Sequence, residues 1–170
     1  MPRTVALIVA AGSGNRVQSV IPKQYLPVAG KPILRWAIER SLESGVFSHV
    51  VCVIGRGQEK QFRAAAQGLS LADPVLGGET RRQSVLNGLE AIAKLAPDFV
   101  SIQDAARPLL DGGELRRLIE KLGKGFDGAI AALPVVDTLK RGTEKILDTV
   151  ARDDLWQAQT PQVFRYGAIV

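Results

Sequence analysis

Soft metal ligands are almost missing from this chain of 170 residues, which has a single cysteine, Cys52, and a single histidine, His49. One cysteine excludes an internal disulfide, and its setting in Val50-Val51-Cys52-Val53-Ile54 marks a buried, inert thiol rather than a nucleophile. A zinc site would have to lean on carboxylates, so a transition-metal enzyme is not expected. The apolar run from Val5 to Ala11 is too short to span a bilayer and lacks a signal-peptide cleavage pattern, which points to a soluble, cytoplasmic protein without a membrane partner. Aromatic residues make up only 5% of the chain, and the basic residues behind its net charge of +5 are scattered rather than interleaved with them. No recognised nucleic-acid module accompanies that charge. It suits small anionic ligands, with most of it serving as solvated surface.

What is present is an apolar content of 46%, enough for one domain over residues 1–170 to bury a core of its own. Thr4 to Ala11 reads as a central buried strand ending in a glycine-rich turn. Pro32 then suits the first turn of a helix whose Ile33, Leu34, Ala37, Ile38 and Leu42 share a face until Gly45 stops it. Alternation continues with a strand at Val50–Ile54, a helix at Gln58–Gln67, a short strand at Pro74–Leu76 and a helix carrying Val85, Leu86, Leu89 and Ile92. A strand at Phe99–Gln103, a helix with Leu115, Leu118, Ile119 and Leu122, and a strand at Ala129–Val135 follow. Nearly all-apolar strands alternating with helices predict a three-layer α/β/α sandwich around a mostly parallel sheet. The polar stretch over about 136–156 breaks the pattern, and pairing Thr138-Leu139-Lys140 with Lys145-Ile146-Leu147 predicts a protruding β-hairpin arm.

In such sheets, ligands bind beyond the carboxyl ends of the strands. There the chain places Ala10-Ala11-Gly12-Ser13-Gly14-Asn15-Arg16, Gly77-Gly78-Glu79-Thr80-Arg81 and Gln103-Asp104-Ala105-Ala106-Arg107-Pro108. Glycines let backbone N–H groups approach a phosphate. Two well-known phosphate loops are excluded, because Val17 takes the third glycine's place in G-x-G-x-x-G and Gly30-Lys31 runs into Pro32 instead of Ser or Thr. A dinucleotide site would also want an acid after the second strand, where the chain reads Ile54-Gly55-Arg56-Gly57, so hydride transfer is the weakest candidate. Arg16 and Lys23 are left to flank a triphosphate. Nucleotidyl transfer asks for that arrangement: positioned reactants, and fixed cations with Mg²⁺ against charge developing on the α-phosphate.

Read together with Pro22-Lys23-Gln24-Tyr25, Asp137-Thr138-Leu139-Lys140 and Thr160-Pro161-Gln162, these motifs resemble, from Leu7 to Val163, the 2-C-methyl-D-erythritol 4-phosphate cytidylyltransferases of the non-mevalonate isoprenoid pathway. The resemblance implies a nucleotide-diphospho-sugar transferase-like fold that binds CTP and Mg²⁺, with Arg16 and Lys23 as the catalytic cations. It implies that Ala10, Ala11, Gly12, Gly14, Gly78, Glu79, Arg81, Ser84, Asp104 and Ala105 surround the nucleotide. Asp104 would also meet the sugar-alcohol phosphate or the metal, Arg107 would orient the site, and Thr160 is a further candidate contact with the acceptor. In the family the arm crosses to a second subunit, which makes Thr138 and Arg152 substrate residues of a homodimer; a polar hairpin with little core beneath it gains by such packing. Family members continue past Gln162 and carry a further lysine for the substrate phosphate, so a chain stopping at Val170 is expected to be truncated at its C-terminus. Some relatives are fused to a cyclodiphosphate synthase domain. The rival readings are a ribitol-phosphate or other polyol-phosphate cytidylyltransferase on the same scaffold, and a non-catalytic nucleotide-binding protein.

Overall fold

The computed structural model describes residues 2–12 and 21–170. Its centre is β1 (Thr4–Ala10), flanked in parallel by β4 (His49–Ile54) and β6 (Phe99–Asp104). Beyond β4 lies the short β5 (Val75–Leu76), and beyond β6 lie β10 (Trp156–Arg165) and β7 (Gly128–Pro134), giving a six-stranded sheet in the order β5-β4-β1-β6-β10-β7. β10 is antiparallel to both of its neighbours, while the other pairings in this sheet are parallel.

The alternation of side chains along each strand builds two cores. Ala6, Ile8 and Ala10 of β1, with Val50, Cys52 and Ile54 of β4, pack under α1 (Ile33–Glu43) and α2 (Glu59–Ala65). Val5 and Leu7, with Val51 and Val53, pack on the opposite face under α3 (Arg81–Ile92). α4 (Gly112–Gly123) covers Phe99 and Val163 with Leu115 and Leu122, and the short α5 (Tyr166–Ile169) lies against the α3 side. This is the expected layered arrangement, since alternate residues of the central strands β1 and β4 find helices on opposite faces of the sheet.

The helix faces differ from the sequence expectation in detail. Leu42 and Leu86 are 43% and 42% exposed, and Ser41 and Gly88 take the buried positions instead. Ser41 is satisfied there because its hydroxyl donates to the Ala37 carbonyl 2.7 Å away. At Gly88 a Cβ would stand 2.7 Å from both Leu7 methyls, so α3 lies too close to β1 for a larger residue and the leucine is turned outward. A small hairpin, β2 (Pro27–Val28) with β3 (Lys31–Pro32), turns through Ala29 and Gly30 at φ +50° and +80°, the left-handed pair that a two-residue hairpin turn requires. The arm is present as β8 (Leu139–Gly142) against β9 (Ile146–Val150), but Leu139 pairs with Val150 and Lys140 with Thr149, so the second strand starts later than the sequence pattern suggests. The strand β10 had no sequence expectation of its own.

Candidate active site

Loops leaving the C-terminal edge of the sheet enclose a cavity of about 550 Å³. Ala10, Ala11 and Gly12 line it from the end of β1, Gly78 to Arg81 from the turn after β5, Ser84 from α3, and Asp104 to Arg107 from the end of β6. Lys23 and Gln24, in a single 3₁₀ turn at Lys23–Tyr25, complete the wall. A more open cleft of about 780 Å³ shares Ala11, Gly78, Glu79 and Thr80 with it, so the two adjoin along one trough.

The turn at Gly77-Gly78 follows from its sequence. A Cβ on Gly77 would sit 2.5 Å from the Ala11 Cβ and 2.7 Å from Ser84 Oγ, so only glycine lets the β1 and β5 loops approach. Thr80-Arg81-Arg82-Gln83 has the spacing of a capping box, and the Thr80 hydroxyl accepts from the Gln83 N–H at 3.0 Å. Gln83 does not reciprocate; its amide donates to Asn87 Oδ1 at 2.8 Å. Ser84, 2% exposed, donates to the Thr80 carbonyl at 2.9 Å and accepts from the Gly78 N–H at 3.2 Å, which fixes the glycine turn over the helix end. The N-terminal, positive end of α3 therefore lies at the trough, as an anionic ligand prefers.

Across the cavity, Asp104 is held between two guanidinium groups. Arg81 Nε donates to its Oδ1 at 3.0 Å, and Arg107 Nε stands 3.8 Å from its Oδ2. The Asp104 N–H points to the Thr160 hydroxyl at 3.4 Å, so β10 sets Thr160 beside the Asp104 backbone, next to the cavity lining but not part of it. Among the described residues, no group of three His, Cys, Asp or Glu is arranged to hold a metal ion. A lone carboxylate still fits Mg²⁺, which commonly uses one or two carboxylates together with substrate phosphates and water. Below the cavity, burial pushes the Tyr25 phenol above its ordinary range and the Cys52 thiol up to about 12, so both stay protonated. Cys52 is thus a core residue.

Of the sequence-expected residues, Ala10, Ala11, Gly12, Lys23, Gly78, Glu79, Arg81, Ser84, Asp104, Ala105 and Arg107 all line the cavity. Gly14 and Arg16 lie outside the described residues. Thr160, Thr138 and Arg152 do not line it, and the last two lie away from it in the sequence-expected arm. Within the arm, Arg152 donates to the Val136 carbonyl. Sequence reasoning gave no part to Thr80 or Gln24. The T-x-x-Q spacing was the available signal for the first, and a glutamine inside the largely apolar Ile21–Leu26 for the second.

Known proteins resemble this chain in sequence and in fold. The family model described as IspD, 2-C-methyl-D-erythritol 4-phosphate cytidylyltransferase, matches residues 4–170. The chain is 46% identical over 172 residues to the bifunctional enzyme IspD/IspF of Rhodospirillum rubrum, covering 100% of this chain and 44% of that protein. It is 43% identical to a 2-C-methyl-D-erythritol 4-phosphate cytidylyltransferase from Azoarcus sp., covering 97% of this chain and 72% of the relative. Among solved structures, the Francisella tularensis 2-C-methyl-D-erythritol 4-phosphate cytidylyltransferase superposes with a TM-score of 0.78 at 32% identity, over 97% of this chain and 73% of that one. The chain thus spans less than half the length of the bifunctional relative.

Proposed function

Since the chain belongs to the IspD family of 2-C-methyl-D-erythritol 4-phosphate cytidylyltransferases, we propose that it forms the transferase part of an enzyme that moves CMP from CTP to 2-C-methyl-D-erythritol 4-phosphate. The products are 4-diphosphocytidyl-2-C-methyl-D-erythritol and pyrophosphate, in non-mevalonate isoprenoid synthesis. The supporting observation is the convergence of Lys23, the Gly78–Ser84 turn and the Arg81–Asp104–Arg107 cluster on one cavity at the C-terminal edge of the sheet.

In this reading an acceptor phosphate oxygen attacks the α-phosphorus of CTP; the new P–O bond forms as the bond to the α,β-bridging oxygen breaks, and pyrophosphate leaves with that oxygen. Lys23, with Arg16, offsets the negative charge that builds on the α-phosphate oxygens, and does so most where water is excluded. The Gly78 turn with Glu79 and Ser84 takes the base, and Ala10 to Gly12 with Ala105 the ribose and phosphates. Asp104, together with the nucleotide phosphates, would hold Mg²⁺, which would supply charge neutralisation at the phosphates. Arg81 and Arg107 aim the Asp104 carboxylate; Thr160 braces the backbone beneath it and meets the acceptor. We further propose that the protein works in the cytoplasm as a homodimer, the arm delivering Thr138 and Arg152 to the partner's acceptor pocket; none of its described helices is long and apolar enough to cross a membrane.

Pyrophosphate release by the full-length protein with CTP, Mg²⁺ and methylerythritol phosphate tests the reaction. Release with this acceptor and not with ribitol phosphate is expected. Release with ribitol phosphate alone would replace the acceptor, and none with either would end the proposal.

A further inference from the structure

Gln24 has no part in the reaction just described, yet it is 2% exposed and its amide sits at the junction of the loops that form the cavity. The two N–H groups of its Nε2 are shared among three acceptors, the Ala10 carbonyl at 2.5 Å, the Gly12 carbonyl at 3.0 Å and Gln58 Oε1 at 3.2 Å. Gln58 Oε1 in turn accepts from the Gly55 N–H at 3.3 Å, at the end of β4. Gly55 belongs to the arrangement, for a Cβ there would stand 2.6 Å from Gln58 Nε2 and 3.2 Å from the Ala11 carbonyl. A methionine would fill the same space without the cost of burying an amide. The amide contributes connection instead. It ties Ala10–Gly12, where the chain leaves β1, to the turn at Lys23–Tyr25, where the intervening segment that contains Arg16 ends, and through Gln58 it ties both to β4.

We propose that Gln24, supported by Gln58, is a positioning residue that fixes Lys23 relative to the Ala10–Gly12 backbone, so that a triphosphate is held from both sides while its α-phosphorus reacts. This rests on the transferase reading given above. Displacement of a cation by a fraction of a bond length weakens its hold on the developing charge more than its hold on the ground-state nucleotide. The loss should therefore fall on kcat and depend on Lys23 being present.

The test is steady-state pyrophosphate release by the full-length protein, wild type against Gln24→Met and Gln58→Met, each also combined with Lys23→Ala. Gln24→Met is expected to lower kcat by on the order of 10²-fold with a KM for CTP within about threefold of wild type, and to cost less than about threefold once Lys23 is already alanine. Gln58→Met, which removes one of the three acceptors, is expected to follow the same pattern at about tenfold, and decides the matter if thermal melting shows that Gln24→Met does not fold. An unchanged kcat, or the same loss with and without Lys23, overturns the positioning role while leaving the reaction in place. A wild type that releases no pyrophosphate overturns the assigned reaction and this inference with it.

Discussion

Every residue of β1 except Val9 is buried, whereas no residue of β8 or β9 is. Both regions are paired strands, β1 on both edges and β8 and β9 only with each other; what separates them further is cover. β1 has a helix layer on each face, so a slip of one residue would exchange Ala6 and Ile8 with Val5 and Leu7 between two differently shaped cores, and its register is strongly specified. The arm has cover on neither side, and Ile146 and Leu147 are each 68% exposed. An isolated two-stranded hairpin is marginal in water. The sheet therefore carries the stability of this chain and a rigid edge for its site, while the arm adds little to either.

Truncation on each side is the most direct way to break that contrast. Leu7→Ala removes a side chain with no exposure from between β1 and α3, and is expected to cost about 2–5 kcal/mol of unfolding free energy. Leu147→Ala in the arm should change it by no more than about 0.5 kcal/mol. Urea unfolding of both variants is the check, and comparable losses would mean that the arm is part of the cooperative core. Lys23→Ala probes the edge between the two regimes. It is expected to lower kcat for pyrophosphate release by about 10²–10³-fold, as loss of one group aimed at transition-state charge does. Its melting temperature should stay near that of the wild type, since Lys23 packs no core cluster. A variant that melts early would instead mark Lys23 as structural.

The same contrast explains which features were legible in the sequence. Strands with two covered faces read as apolar runs, so β1, β4 and β6 were visible, and with them the loops that had to bear the site. β10 was not. It carries Gln157, Gln159, Thr160 and Gln162 because its first half pairs with β7 and is largely exposed while its second half packs into the core, and a strand with mixed surroundings has no clean period. Leu42 and Leu86 misled because periodicity reports which face a residue is on, but not how near the helix lies; Gly88 and Ser41 reveal that distance only once α1 and α3 are docked. Among site residues, charged and glycine positions announced themselves. Gln24 did not, because its contacts are to carbonyls brought together by the fold.

A smaller effect is expected where α3 meets the trough. Thr80→Ala removes the hydroxyl that caps the helix at Gln83 N–H, and should cost about 1 kcal/mol of stability. It should also raise the KM for CTP, because the Ser84 contact to the Thr80 carbonyl then rests on a fraying turn. Thr80→Ser keeps the acceptor and should restore both. Failure of serine to restore them would show that the threonine methyl, not the cap, matters.

The outer side of α1 gives the mildest case, a polar cluster on a helix whose inner side is core. Glu39 receives Lys31 Nζ at 2.7 Å and Arg35 Nε at 2.8 Å, while the Lys31 ammonium also lies 4.5 Å from the Trp36 ring centre. The hydrogen bond from Lys31, aided by Arg35 and only partly opposed by desolvation, holds the Glu39 carboxyl below its ordinary range. The folded state thus binds this proton less readily than the unfolded chain does. The stabilisation is fully present above the ordinary glutamate pKa and is lost as pH falls through the lowered folded value. Because Lys31 is 41% and Arg35 24% exposed, solvent screening keeps the contribution to about 0.2–1 kcal/mol. Glu39→Gln should abolish it, so the stability difference between wild type and variant, followed by urea unfolding from about pH 6 down to about pH 3, is expected to shrink on acidification. The difference should also shrink in high salt, unlike the loss at Leu7. A difference that stays constant with pH would mean that the glutamate acts through packing, and would erase the distinction between the inner and outer sides of this helix.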